Sequence, residues 1–526
     1  MKLISTTPKG TQRLYVLCTH LAIGASIWGY NIGVLSSILV HPGWRSALHE
    51  PSPSQKGLIT GIYYLGTFLS YVLLSHPLAD LLGRRYAALF GTLVLSLGAL
   101  VMAFADGSSA VGVMVFGRWI CGVGVGVVST SVPLYQSEVA PAKQRGRFVT
   151  MNHVGFIAGL ATGLWVGYGM TFWTTEQGRY WGWRVSVLIQ LIPACIFTAG
   201  LPFLPDTPRW LIQQGYTERA SRVLHSLRQD ALPPHLITHE LHAISSSVES
   251  QPRNTTFLSL SLSLFRNPSL FARLWRAFLL QFMAQMCGAT AMKYYLPTLL
   301  KALGLEYRLA LMAGAVEMTA KIGMTVVEMW IIDRFGRKAC LTGGSVIMGL
   351  AMMINGFLPI AYPQNKNKAA DAVCIAFIFV YAMGYSLGLG PAAWVYSSEI
   401  FPTSVRARGL NFAASGGSIG SILVSQIWPV GNARFGSGIY FFFMVVNFIC
   451  VPIIWFLYPE TKGRALEDMD GLFGKSDDGE HPNVPLDGVA EEDGEGEGDG
   501  DGDGDGDGDI GNTQSTRDEE HEPLLS

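Results

Sequence analysis

Runs of about twenty apolar residues dominate this chain, each long enough to cross the roughly 30 Å hydrocarbon core of a bilayer as one helix. Twelve lie near 14–39, 57–79, 86–105, 111–133, 149–170, 184–204, 276–298, 309–332, 339–362, 371–394, 409–430 and 436–458. An open strand in lipid would leave backbone groups unpaired, so these runs must be helical. Six precede and six follow a long polar interval, the pattern of a duplicated transporter architecture. The expected fold is an all-α membrane protein of twelve transmembrane helices in two pseudo-symmetric six-helix halves, 14–204 and 276–458. The remainder divides into an N-terminal segment (1–13), a middle loop with short helices (205–275), a segment 459–473 and a disordered acidic tail (474–526).

Only 14% of the residues are charged, too few to cover a soluble protein of 526 residues. That argues against a soluble enzyme, a nucleic-acid binder and a disordered scaffold. The net charge of −2 conceals two unlike parts. Residues 475–526 hold 19 acidic and 2 basic residues, whereas the body holds 20 acidic and 35 basic ones. With both termini, the even-numbered turns and the middle loop on one side, that side carries 23 Lys and Arg against 9 opposite. The richer side is expected to be cytoplasmic, with both termini inside. The first run is too long for a signal-peptide core and reads as a retained helix. All seven cysteines fall within runs and read as small buried residues, not a disulfide framework.

Two short loops occur twice. Asp80, Gly83, Arg84 and Arg85 follow span 2, while Asp333, Arg334, Gly336, Arg337 and Lys338 follow span 8. After span 4, Glu138 and Pro141 lead to Arg145-Gly146; after span 10, Glu399 and Pro402 lead to Arg406, Arg408 and Gly409. Carboxylates and guanidiniums at helix ends can pair bidentately, and glycine permits the tight turns. Solvated loops would explain the basic residues but not the duplicated spacing.

With Gly117-Arg118, Pro205-Asp206-Thr207-Pro208-Arg209, Gly388-Leu389-Gly390-Pro391, Trp394 and Pro459-Glu460-Thr461-Lys462-Gly463, the chain resembles the sugar porter family of the major facilitator superfamily over about residues 14–470. The resemblance implies alternating access, with the two halves rocking about a central site. It assigns gating to Asp80, Arg84, Glu138, Arg145, Asp333, Arg337, Glu399 and Arg406, which would latch the outward-open state. It places substrate contacts at Asn31, His153, Gln281, Gln285, Thr290, Tyr294, Tyr295 and Trp394. The family's span-7 pattern is only partly kept: Ala284 and Thr290 replace a glutamine and an asparagine, and Gly417-Ser418 replaces an Asn-Trp pair in span 11. The polar inventory of a plain glucose site has therefore been rewritten.

Charges within spans are costly and default to function. Coupling is expected at Asn31, Arg118, Glu317 and Lys321. Glu317 and Lys321 have the spacing of an intrahelical ion pair, which is equally consistent with a structural role. Lys293 either reaches the substrate or snorkels outward, and His153 acts as a neutral ligand or a proton carrier. Proton-coupled relatives carry an aspartate where this chain has Asn31, and an amide cannot titrate. A facilitative carrier of a sugar, polyol or sugar acid is therefore expected. The alternatives are a proton symporter using other acids and a nutrient sensor on the same fold.

No enzyme constellation, cofactor or metal site emerges. His235, His239 and His242 share a helical spacing, but no second-shell pattern supports them as ligands. Gly122, Gly124 and Gly126 lack a preceding strand and read as helix packing. Asp501–Gly506 begins like a calcium loop but has Asn512 where the final acid belongs. Glu520 to Leu525 resembles an acidic dileucine signal, pointing to sorting machinery and to endosomal or vacuolar routing besides the plasma membrane. The expected partners are a small carbohydrate-like solute and the lipid bilayer, and no nucleic acid.

Overall fold

The computed structural model describes residues 9–141, 145–229, 231–249, 264–363, 367–402 and 405–462; at 145–147, 149, 247, 326, 329, 330, 333 and 407 it describes only the backbone. All of these belong to the unit Met1–Lys475. The acidic tail, its calcium-loop resemblance and its dileucine pattern lie outside the described residues.

Among the described residues all regular structure is helical. The first six runs form span 1 (Lys9–Ile38), span 2 (Pro53–Leu82), span 3 (Arg84–Ala103), span 4 (Ala110–Val139), span 5 (Arg145–Met170) and span 6 (Glu176–Phe203). The later six form span 7 (Pro268–Met286 and Ala289–Ala302), span 8 (Tyr307–Phe335), span 9 (Arg337–Ala361), span 10 (Lys368–Leu387 and Pro391–Glu399), span 11 (Arg406–Phe435) and span 12 (Ile439–Leu457). The middle interval carries three short helices, Pro208–Gln213, Thr217–Arg228 and Pro234–Glu249. Eight stretches are long and apolar enough to cross a membrane by length and composition, one of them, Arg408–Leu457, covering spans 11 and 12 together. Spans 5, 7 and 8 are not among them. They carry His153, Gln281, Gln285, Lys293, Glu317 and Lys321, and turn these residues toward other helices.

Local chemistry sets the boundaries. Ser52 and Gln55 form a reciprocal capping box ahead of span 2, with Pro53 at the first helical position. Asn267 and Asn367 cap spans 7 and 10. Span 7 breaks at Gly288, whose φ of 107° is open to glycine at little cost. The carbonyl of Cys287 freed there accepts from Tyr381 Oη at 3.2 Å and Asn447 Nδ2 at 2.9 Å, so spans 10 and 12 satisfy the break.

Packing repeats between the halves. Span 1 packs on span 5, span 3 on span 4 and span 2 on span 4; span 7 packs on span 11, span 9 on span 10 and span 8 on span 10. The halves meet where span 2 packs on span 11, span 5 on span 8 and span 1 on the second part of span 7. Close approach needs small residues: a Cβ on Gly122 would strike the Tyr63 carbonyl, and one on Gly124 would lie 2.5 Å from the Gly91 carbonyl. The glycine run in span 4 is therefore a packing surface. Leu93, Leu97, Ile192, Ile196, Val445 and Ile449 are exposed, an apolar exterior suited to lipid. Six cysteines are buried as expected, but Cys195 on span 6 is exposed; a position within an apolar run does not fix which side of the helix meets neighbours.

Candidate functional site

The duplicated loops fold into duplicated clusters. Gly83 and Gly336 adopt nearly the same backbone, φ 86° and ψ 161° against φ 90° and ψ 162°. Each turn delivers an arginine to the carboxylate ending the helix two spans later. Arg84 Nη2 donates to Glu138 Oε1 at 2.8 Å, and Arg337 Nη2 donates to Glu399 Oε1 at 2.8 Å. The remaining oxygens accept from Thr207 Oγ1 at 2.5 Å and Thr461 Oγ1 at 2.7 Å. The segments after spans 6 and 12 thus supply the same hydroxyl to the same place. Beside them, Asp206 pairs with Arg85 at 3.3 Å, and Glu460 accepts from the backbone N–H groups of Arg337 and Lys338, each at 2.9 Å. Burial pushes the Asp206 carboxyl above the usual carboxylate range, against the opposing pull of Arg85.

Asp80 joins the halves at this end. Arg84 Nη1 approaches it at 3.4 Å from its own half, and Arg408 Nη2 approaches at 3.9 Å from span 11. Thr130 Oγ1 donates to Asn411 Oδ1 at 3.3 Å nearby, again across the halves. Arg406 donates from Nε to the Phe401 carbonyl. The side chains of Arg145 and Asp333 lie outside the described residues. Sequence reading took Arg406 from this loop; the structure adds Arg408, which the packing of span 11 on span 2 sets against Asp80.

Midway along the helices, Arg118 is 1% exposed and has no carboxylate against it among the described residues. Its Nη1 donates to Asn31 Oδ1 at 2.5 Å, its Nη2 to Tyr294 Oη at 3.1 Å, and its guanidinium lies 4.3 Å from the Tyr63 ring centre. Asn31 Nδ2 donates onward to Gln190 Oε1 at 2.9 Å. An amide, a phenol and an aromatic face together hold a buried cation that has no counter-ion.

A second cluster gathers beyond the span-7 break. Gln285 Oε1 accepts from Thr290 Oγ1 at 3.0 Å and from Lys293 Nζ at 3.4 Å. Lys293 and Lys321 both face the Tyr385 ring, with Nζ 5.4 and 5.6 Å from its centre. His153 of span 5 lies within electrostatic reach of both lysines and packs on Phe156. Glu317 pairs with Lys321 at 3.5 Å. Spans 5, 7, 8 and 10 thereby bring two lysines, a histidine, one carboxylate and an aromatic face together.

Of the other candidates, Tyr295 Oη meets Thr60 Oγ1 at 3.1 Å, tying span 7 to span 2. Gln281 is buried and reaches Ser397 Oγ at 3.5 Å. Trp394 is 39% exposed. Glu328 of span 8, which sequence reading passed over, is 1% exposed. Its signal was present: it follows Lys321 by seven residues, two helical turns along the same face. Among the described residues, no group of three or more His, Cys, Asp or Glu could hold a metal ion.

This geometry sits within a recognisable lineage. The family described as sugar (and other) transporter matches residues 17–473. The "Probable quinate permease" of Aspergillus terreus is 30% identical over 489 residues, covering 89% of this chain and 88% of that one. Its counterpart from Aspergillus niger is 29% identical over 488 residues, covering 89% of each. The fold is similar to that of the xylose transporter XylE of E. coli in a partially occluded inward-open conformation, with a TM-score of 0.73, 22% identity, 86% of this chain covered and 99% of that one.

Proposed function

The chain belongs to the sugar transporter family, a multi-pass membrane transporter of sugars or related compounds and not an enzyme, and from that premise we propose that its substrate is a polyhydroxylated carboxylate. The observation that carries this reading is the pair of lysines, Lys293 and Lys321, both facing the Tyr385 ring, with Glu317 the one carboxylate paired to them among the described residues. Arg118 adds a third buried cation held by neutral groups. A neutral sugar gives such an excess no counter-charge, whereas a carboxylate does. Gln285, Thr290 and His153 supply donors and acceptors for hydroxyls, and Tyr385 supplies a face for the ring's C–H groups. The quinate permeases among the relatives support the same chemistry, since quinate carries one carboxylate on a hydroxylated ring.

Transport proceeds by rocking of the two halves about this centre, across the plasma membrane with both termini cytoplasmic. The clusters at Arg84–Glu138 and Arg337–Glu399 keep each half rigid at the cytoplasmic end, and Asp80–Arg408 closes the gap between them. Asn31 leaves Arg118 paired with a group that cannot titrate.

Uptake by full-length protein in liposomes tests the substrate. Quinate and sugar acids are expected to enter, to compete with each other and to outcompete xylose and glucose. Lys293→Gln and Lys321→Gln should each weaken quinate uptake through KM by tenfold or more, about 1.4 kcal/mol per decade. Efficient uptake of neutral hexoses with none of quinate would overturn the reading.

A further inference from the structure

Glu328 is a buried carboxyl group with no cation paired to it among the described residues. Neither of its oxygens has a hydrogen-bond partner, and the Ala392 N–H approaches without reaching hydrogen-bond geometry. Ala392 stands in the first turn of Pro391–Glu399, where the helix leaves its leading N–H groups unpaired after the break at Gly388–Gly390. The other titratable groups facing Glu328 are the Cys340 thiol of span 9 and the Tyr385 phenol of span 10. Spans 5 and 7 also pack on span 8, but their His153 and Lys293 face Lys321 and not Glu328 among the described residues. Glu317, on the same helix face, has Lys321 beside it.

A carboxylate sealed from water with neither a cation nor a full set of donors is several kcal/mol too costly to persist, so the closed transporter holds this group as the neutral acid. Water or a cation arriving beside it removes that cost, and the proton leaves. Tyr385 connects this event to the ligand, because it faces Glu328 while its ring carries Lys293 and Lys321. An anion neutralising the lysines and a proton neutralising Glu328 are two halves of one charge balance.

We propose that Glu328 is the proton-carrying carboxyl of this transporter, so that an anionic substrate crosses together with one proton. The inference rests on the polyhydroxylated-carboxylate reading above. The step moves a proton from water on the loading side to a carboxylate oxygen, and from there to water on the releasing side, with no other bond made or broken.

Two measurements on full-length protein in liposomes decide it. The first is labelling by a hydrophobic carbodiimide, which attacks protonated carboxyls in apolar surroundings, mapped by peptide mass spectrometry from acid to alkaline pH. Glu328 should be labelled, less so as the pH rises, while Glu317 is spared; an unlabelled Glu328 at every pH overturns the proposal even if no variant folds. The second compares quinate accumulation driven by a pH gradient with quinate exchange at equal pH. One pH unit should drive about tenfold accumulation in the native protein. Glu328→Gln should abolish that accumulation and keep exchange, and undiminished accumulation by this variant overturns the proposal. Native protein that exchanges no quinate refutes the substrate reading, whereas the labelling result stands or falls separately.

Discussion

Replacing Glu138 by Gln tests the gating clusters where the structure distinguishes them most clearly. Arg84 and Glu138 are 4% and 7% exposed, whereas Arg337 and Glu399 are 13% and 23% exposed. The substitution removes a charge-assisted bond at 2.8 Å and turns an amide toward either the guanidinium or Thr207, leaving a nearly buried cation short of its acid. Breaking a buried pair from one side costs about 3–5 kcal/mol. Asp80 and the remaining amide oxygen soften the loss, so about 3 kcal/mol is expected here. Glu399→Gln faces more solvent and should cost about 1–2 kcal/mol. The consequence extends beyond stability, because Arg84 also holds Asp80, the acid that meets Arg408 across the halves. An Arg84 deprived of Glu138 draws Asp80 inward and away from Arg408, favouring the cytoplasmic-open state. Only the share of that loss felt by the cytoplasmic-closed state moves the equilibrium, and half of it, about 1.5 kcal/mol, is roughly tenfold in population. The assay is labelling of Thr130→Cys by a membrane-impermeant thiol reagent in a Cys195→Ser background, since Thr130 lies against Asn411 at the closing seam. The rate should rise by about tenfold with Glu138→Gln and by roughly threefold or less with Glu399→Gln. Equal rates in both variants and the parent, or the reverse order, in correctly inserted protein would refute the reasoning.

Three further outcomes are expected. Burial pushes His41, which accepts the Gly43 N–H on Nδ1, down to about 4 from its ordinary 6.5; the folded chain then binds fewer protons than the unfolded one, so stability is lost as pH falls from 6.5 toward 4. Thermal midpoints in detergent at the two ends of that window should converge in His41→Asn, and an unchanged gap would count against it. Gly288→Ala forces a side chain into φ 107°, with Met352 Cε 3.0 Å from the new Cβ; a loss of about 1–2 kcal/mol in unfolding and weaker quinate binding are expected, and a neutral result would mean the break can re-form elsewhere. Asn31→Asp sets an acid 2.5 Å from Arg118. In a Glu328→Gln background it should restore pH-dependent uptake, and a flat profile in inserted protein would show that Arg118 does not take part in proton movement.

The helices and the duplicated loops were legible in the sequence because both depend on short-range rules. Lipid demands long apolar runs, and a tight turn with glycine at positive φ leaves its mark at Gly83 and again at Gly336. The partners in the clusters were less legible. Thr207 and Thr461 occupy equivalent positions in their motifs, but their role as donors to Glu138 and Glu399 depends on where a segment far along the chain returns. That Arg408 meets Asp80 depends on the rotation of span 11 against span 2, which no motif encodes. Glu328 was hidden differently. An acid five residues before Asp333 looks like part of the charged loop, and only helical periodicity from Lys321 places it on the inward face.

The repeat itself separates scaffold from ligand chemistry. Where the two halves agree, as in Arg84–Glu138–Thr207 and Arg337–Glu399–Thr461, the chemistry serves a motion that both halves perform. The buried charges break that agreement. Counted from the shared acids, Arg118 corresponds to Phe379, Glu317 to Tyr64, Lys321 to Phe68 and Glu328 to Ser75. Each charge thus has an uncharged counterpart in the other half, so none of them is required by the packing that both halves share. Ser75 fills its position with a bond to the Gly126 carbonyl at 2.9 Å, so the corresponding place in span 2 is satisfied by a neutral hydroxyl. Charges at membrane depth outside the shared packing default to a functional role, and the proposed ligand, with a carboxylate at one end, is itself too asymmetric to be held by two equivalent halves.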